Sequence, residues 1–215
     1  MRRSLFLHVF ALVNVIAFFA AIGGARADVI TEWKNVALPA EPEIKPAQVE
    51  AATTALLLLD FTTQTCTQER RPRCAAQVPG LAKLLADARA RNMFVIYSVA
   101  TAGSGRSDIL APLAARESDP VLPPLGPDKF INSDLEKMLK ERGIQTLIVT
   151  GTAAHTSVLH TGGEAALRGF KVVAPVDGMS SNDAFTEAYT AYHLVNAARI
   201  MNATTLTRVG LISMK

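Results

Sequence analysis

The stretch "QTLIVTGTAAHTSVLHTGGEAALRGFKVVAPVDG", residues 145–178, decides the fold. Residues 145–151, around the apolar run Thr146-Leu147-Ile148-Val149-Thr150, read as a strand, and residues 171–178 read as another. A run of this kind suits a strand covered on both faces. Between them, "SVLHTGGEAALRGF" (157–170) has helical spacing, with Gly162 and Gly163 predicted to interrupt it. Strand, tight turn, helix and strand in that order make a parallel crossover unit.

The same alternation extends in both directions. "TALLLLDF" (54–61) and "MFVIYSVA" (93–100) read as buried strands, and "GLAKLLADARARN" (80–92) between them reads as a helix started by Pro79. Residues 101–128 are rich in Gly, Pro and Ser and read as a long loop with a short helix near "LAPLAARE". A loop of that length in a compact domain usually serves function. "NSDLEKMLKERGI" (132–144) is a helix capped by Asn132 or Ser133 and ended by Gly143. "DAFTEAYTAYHLVNAARIM" (183–201) is the longest amphipathic helix, and "ATTLTRVGLI" (203–212) a last strand. The pattern predicts an α/β fold, a three-layer sandwich whose mainly parallel, Rossmann-like sheet is flanked by helices. Residues 51–215 are assigned to that domain, and the proline-broken residues 28–50 to an extended N-terminal arm.

Residues 1–27 are set apart. Arg2 and Arg3 precede an almost wholly apolar run from Leu5 to Ile22, and Ala25-Arg26-Ala27 has the form of a signal peptidase site. This reads as a cleaved secretory leader rather than an uncleaved membrane anchor, because the cleavage motif is well placed and Asn14 weakens a span, so the mature protein is expected in a periplasm or outside the cell, meeting a membrane only during export. The leader carries three of the 22 basic residues and none of the 19 acidic ones, so the rest of the chain is balanced in charge. The net positive charge therefore makes no case for nucleic-acid binding. Cys66 and Cys74, in "CTQERRPRC", read either as a local disulfide, which an oxidising compartment favours, or as two thiols. No second Cys or His pair accompanies them to make a metal site.

In a parallel sheet, ligands bind beyond the carboxyl ends of the strands. Asp60 closes the first core strand, where burial disfavours the charge of a carboxylate and a neighbouring cation restores it. It suits a proton donor or acceptor, or simply caps a turn. Ser157 opens a helix, where backbone N–H groups favour negative charge. A hydroxyl there serves as nucleophile or as helix cap. His160 lies one turn along and His155 is close in sequence, both candidate bases. The Gly-x-Ser-x-Gly elbow is absent. Lys129, alone, reads as a surface lysine. Glu164 and Arg168 read as a surface pair and Asp177 as structural. His193 is assigned to packing or a subunit contact, and Arg106 and Asp108 to solvated loop charge.

Taken together, "ALLLLDFTTQTC", "DKFINSDLEKMLKERGIQTLIVTGTAAHTSVLHTGGEAALRGFKVVAPVDGMS" and the element order between them resemble the isochorismatase-like, or cysteine, hydrolases from residue 54 to about 200. The resemblance implies a catalytic Asp, Lys and Cys, which fall on Asp60, Lys129 and Ser157. The thiol is thus replaced by a hydroxyl, and the stretch from Lys129 to Leu135 is shorter than the family's. It also implies a cis peptide at Thr152-Ala153, shaping an oxyanion hole with backbone N–H donors near Ala153 and Ser157. It implies a small-molecule substrate and a homo-oligomer, with helix 183–201 as the contact. Members without the cysteine cleave a vinyl ether, with the Asp as acid and water completing the reaction. Nicotinamidases of this family hold a metal through an Asp-x-His pair and a further His after the first strand. Residues 61–100 contain no His, so no metal and no cofactor are predicted. The alternatives are an amidase with Ser157 as nucleophile, and an inactive homologue that binds a small ligand.

Overall fold

The computed structural model describes residues 28–215, so the leader lies outside the described residues. The chain divides into two compact units, Met1–Ala40 and Glu41–Lys215. In the described part of the first unit, a single helical turn, α1 (Val29–Glu32), is capped by Asp28, whose carboxylate accepts from the Thr31 N–H at 2.8 Å.

The second unit runs β1 (Ala47–Val49), β2 (Thr54–Leu59), α2 (Pro72–Ala90), β3 (Phe94–Ser98), β4 (Val121–Leu122), α3 (Leu135–Glu141), β5 (Thr146–Thr152), α4 (Leu159–Leu167), β6 (Lys171–Pro175), β7 (Met179–Ser180), α5 (Ala184–Asn196), β8 (Thr204–Thr207) and β9 (Ile212–Met214). Its main sheet has the order β4-β3-β2-β5-β6-β8, with β7 against the end of β5. Every pairing in it is parallel. This is the predicted α/β architecture.

Alternation along the strands sorts the core into two layers. Leu57, Leu59, Leu147 and Val149 face α3, α4 and α5, where Leu139, Ala165 and Leu194 bury against them. Leu56, Leu58 and Ile148 face α2 through Leu81, Leu84, Leu85 and Ala88. All six residues of β2 are buried, which is why the sequence there shows a continuous apolar run. From β2 the chain builds outward to β3 and β4 on one side. It then crosses back to lay β5, β6 and β8 on the other. The order reverses between β2 and β5, so the crevice of this sheet opens at their carboxyl ends.

Several boundaries differ from the sequence expectation. The helix predicted from Pro79 starts seven residues earlier, at Pro72, and Pro79 lies inside it. Its first turns are tied down by the Cys66–Cys74 disulfide, by the Gln77 amide donating to Met179 O and by the Arg73–Glu187 ion pair. Those anchors outweigh the single backbone bond that proline removes. Gly162 and Gly163 do not interrupt α4, which runs through them with both buried. The irregular stretch is instead one wide turn before it, Ala154–Val158, where the Leu159 N–H donates to Ala154 O five residues back. The predicted last strand, 203–212, is shorter than expected: it ends at Thr207 as β8, and after a tight turn at Val209–Leu211 the chain forms a second strand, β9. β9 pairs with β1, so residues 47–49 of the expected arm form a strand of the folded unit.

Candidate active site

Asp60 follows the last residue of β2 and takes a left-handed conformation, φ 63°. A non-glycine residue held there is under mild strain, of the kind that gathers at functional positions. The twist turns its carboxylate into the crevice, where it is 1% exposed. On one side β3 ends in Ser98, in register with Leu59. The Ser98 hydroxyl donates to Asp60 Oδ1 at 2.7 Å. On the other side β5 ends at Thr152, and the Thr152-Ala153 peptide is cis. The wide turn after it carries Ser157, 4% exposed, whose hydroxyl donates to Asp60 Oδ2.

Lys129 reaches the same oxygen. Its ammonium lies 3.0 Å from Asp60 Oδ2 and donates to Gly126 O at 2.8 Å, with the side chain 2% exposed. The short segment before α3 manages this because its backbone is pinned to α4. The Lys129 N–H donates to the Thr161 hydroxyl at 3.2 Å, and that hydroxyl donates to Pro127 O at 3.2 Å. The Asp128 side chain accepts from the Phe130 N–H at 2.8 Å, and burial pushes its carboxyl above the usual range. The structure thus brings Asp60, Lys129 and Ser157 into one buried cluster, although Lys129 in isolation reads as a surface residue. Each of the three neighbours of Asp60 presents a hydrogen to it, the arrangement a carboxylate anion accepts.

The histidines stand elsewhere. His160, a candidate base for Ser157, points outward and is exposed. His155 Nδ1 is 3.0 Å from the Ser181 hydroxyl, not on Ser157. The backbone donors are also arranged differently from expectation. The Ser157 N–H is spent inside its own turn, on Ala153 O at 3.0 Å, and the Ala154 N–H donates to the Ser181 hydroxyl at 3.1 Å. A wide turn folds its own N–H groups inward, so helix-start geometry does not leave the Ser157 donor free for a ligand.

Sequence reasoning missed Ser98, Thr161, Ser181 and Arg71. Ser98 carried a signal, since it closes a buried strand at the ligand-binding edge. Arg71 and Ser181 lie in the loops that follow strand ends. Among the sequence-assigned bystanders, Asp177 accepts from the Val209 N–H at 2.8 Å, and Glu164 pairs with Arg168 at 2.8 Å. Asp108 accepts from the Gly105 N–H and the Gln64 amide, and Arg106 donates to Asp119 O at 2.8 Å. Both therefore serve the fold of the long loop.

An isochorismatase-domain family model matches residues 54–207. The chain belongs to the isochorismatase family. Among solved structures, an isochorismatase family protein from Desulfovibrio vulgaris matches with TM-score 0.65 at 22% identity, covering 74% of this chain and 95% of that one. A cysteine hydrolase from Pseudomonas syringae pv. phaseolicola matches with TM-score 0.67 at 20% identity over 80% and 95%. A nicotinamidase from Staphylococcus aureus matches with TM-score 0.64 at 16% identity over 73% and 99%. At such identities these isochorismatase-like neighbours speak to fold. One curated relative, a secreted isochorismatase effector, Isc1, of Verticillium dahliae, is 26% identical over 117 residues, half of this chain. The chain spans 62% of that relative's length.

Proposed function

We propose that this isochorismatase-family chain is an exported hydrolase of a small organic molecule, in which Asp60 carries the proton, Lys129 holds its carboxylate and Ser157 positions water. The observation that carries this reading is the shared oxygen: Asp60 Oδ2 takes both the Lys129 ammonium, at 3.0 Å, and the Ser157 hydroxyl. Any carboxylate is a far weaker base than the alkoxide it would have to generate from Ser157. A thiol at position 157 would lose its proton far more readily than a serine does. Proton transfer to substrate asks less of the same cluster.

In the vinyl-ether form of the reaction, the carboxylic acid form of Asp60 gives its proton to the terminal carbon of the double bond. The cation left on the ether-bearing carbon is attacked by water held against Ser157. The water's proton returns to Asp60, and the hemiketal separates into a ketone and an alcohol. The Ser157 hydroxyl, both donor and acceptor, serves either state of Asp60. Export rests on the leader pattern of residues 1–27 and on a relative described as secreted. Self-association rests on α5, which exposes Phe185 (59%), Tyr189 (45%) and Tyr192 (40%) at helical spacing.

The test is a hydrolysis screen of vinyl ethers, amides and carbamates with the mature protein, Asp60→Asn and Ser157→Ala. Asp60→Asn is expected to lose at least about a thousandfold in turnover, and Ser157→Ala about ten- to a hundredfold. Full turnover by Asp60→Asn, with Ser157→Ala inactive and Ser157 labelled stoichiometrically by a phosphonylating probe, would replace this reading with the serine-nucleophile amidase. A metabolite that raises the melting temperature and is never consumed would replace it with a binding protein.

A further inference from the structure

We propose that the Cys66–Cys74 disulfide is a redox switch that chooses between two starts of α2, at Pro72 when oxidised and at Pro79 when reduced, and that only the earlier start braces the turn carrying Ser157. Its effect on turnover rests on the hydrolase reading; the choice of helix start does not.

The head of α2 is weak by its own chemistry. Arg71, at the cap position, makes no side-chain cap bond, and the first turn holds no acidic residue. Arg70, Arg71 and Arg73 instead put positive charge at the positive end of the helix dipole. Pro79 lacks the N–H that would bond back to Ala75 O, and it suits the first position of a shorter helix. Local preference therefore favours the later start. The disulfide opposes it, because Cys74 lies in the first turn of the longer helix and Cys66 lies before it.

The bridge joins two parts of the site. On its first side the Cys66 N–H donates to Thr62 O at 2.9 Å, and the Thr62 N–H donates to Asp60 O at 3.0 Å. Around Cys74, three side chains of the helix head reach segments 90 or more residues on, by a hydroxyl, two carbonyl-type oxygens and a carboxylate. Arg71 Nη1 donates to the Thr152 hydroxyl at 2.6 Å, and its Nε to the Asn182 side-chain oxygen at 2.9 Å. The Gln77 amide donates to Met179 O at 3.1 Å. Arg73 pairs with Glu187, whose Oε1 accepts from the Ser181 N–H at 2.8 Å, and the Ser181 hydroxyl accepts from the Ala154 N–H at 3.1 Å. These side chains act on Ser157 only indirectly, by holding Thr152 and residues 179–187, which flank the turn Ala154–Val158. All three precede Pro79, so a helix that starts there releases them together.

Cys66 and Cys74 are 3% and 0% exposed, so the switch turns through an opening of the loop between them. Reduction breaks the S–S bond with two electrons and two protons from a dithiol, which leaves as its own disulfide. In an exported chain the turn is slack in the reducing interior of the cell and braced outside it.

The experiment follows amide hydrogen exchange in the disulfide-intact mature protein, the same protein in dithiothreitol, Cys66→Ala/Cys74→Ala and Arg71→Ala. Loss of the bridge is expected to speed exchange at least about tenfold at residues 75–78 and at 154–158, at times too short for β2 to exchange. Arg71→Ala, with the bridge intact, should speed 154–158 and leave 75–78 slow. Removing the bridge from Arg71→Ala should then add less at 154–158 than it does in the wild type, because part of the effect runs through that arginine. Pro79→Ala restores the missing backbone donor and should slow 75–78 again in the bridge-free protein. Slow exchange at 75–78 without the bridge overturns the proposal, as does fast exchange there with 154–158 unchanged. So does β2 exchanging alongside them, which would make the bridge a staple of the whole fold. No substrate enters this measurement, so a hydrolysis screen without turnover would sink the hydrolase reading alone.

Discussion

Removing one member of the buried ion pair should cost far more than removing both. Asp60 and Lys129 are 1% and 2% exposed and 3.0 Å apart. Lys129→Met leaves the Asp60 carboxylate with two neutral donors, the Ser98 and Ser157 hydroxyls. Asp60→Asn leaves the ammonium with the single carbonyl of Gly126. Each change strands a desolvated charge, and each is expected to cost about 3–5 kcal/mol. In Asp60→Asn/Lys129→Met no charge remains, and the two side chains keep nearly their native volumes. The double variant should therefore be more stable than either single one, with a coupling of at least about 3 kcal/mol in the cycle. The assay is urea denaturation of the disulfide-intact mature protein, comparing midpoints at a constant slope. If a single variant fails to fold, its rescue by the second substitution is the same result. Single costs under about 1 kcal/mol, or a double cost equal to their sum, would show that the pair is solvated and that no dry proton-carrying cluster exists.

Gly151→Ala places a Cβ 2.8 Å from Leu59 Cβ and 3.1 Å from Leu59 O, between β2 and β5 beside the site. It should cost about 1–3 kcal/mol in urea melts and lower turnover by displacing the turn that carries Ser157. Replacing Cys66 and Cys74 by serine opens the loop that separates residues eight apart. It should cost about 2.5 kcal/mol on a chain-entropy basis, read as a shift in the urea midpoint. Tyr97 is 1% exposed, and burial pushes its hydroxyl up to about 12. Between the ordinary tyrosine value near 10 and that value, the folded state holds a proton that the unfolded state releases. Stability therefore falls as pH rises, by about 1.3 kcal/mol at pH 11. Tyr97→Phe should lack that loss, as urea midpoints at pH 9 and 11 would report.

The strands were legible because both of their faces are buried. β2 and β5 carry no charged residue, and their only polar side chains are threonines, so the apolar stretches Ala55–Leu59 and Leu147–Val149 mark them nearly to the residue. What stayed hidden was held by contacts the local pattern does not carry. Pro79 signals a helix start, yet Cys74, Gln77 and Arg73 pin the preceding turns to partners far along the chain. β4 has two residues and owes its place to β3, through the Tyr97 N–H on Pro120 O. β9 follows a turn through Gly210 and finds β1, which the sequence presents as a proline-broken arm.

The site follows a different logic, that of topology. Asp60 and Ser157 are 97 residues apart in the chain. They meet because β5 returns across β3 and β4 to pair with β2, in a register that sets Leu59 beside Gly151. Alternation of strands and helices shows that residues at carboxyl ends share one edge of a sheet. It does not show which strands are neighbours, and that order is what gives Asp60 a hydroxyl from β3 on one flank and the cis turn of β5 on the other. Lys129 belongs to no strand. Its presence depends on Thr161, a hydroxyl on the buried face of α4 that captures the incoming backbone. Substituting Thr161 by valine therefore tests the assembly more sharply than substituting any member of the cluster. Valine keeps the shape and removes only the capture, so Lys129 should lose its hold on Asp60 and turnover should fall while the core stays packed. Unchanged activity in Thr161→Val would mean that the segment from Gly126 to Lys129 holds its position unaided.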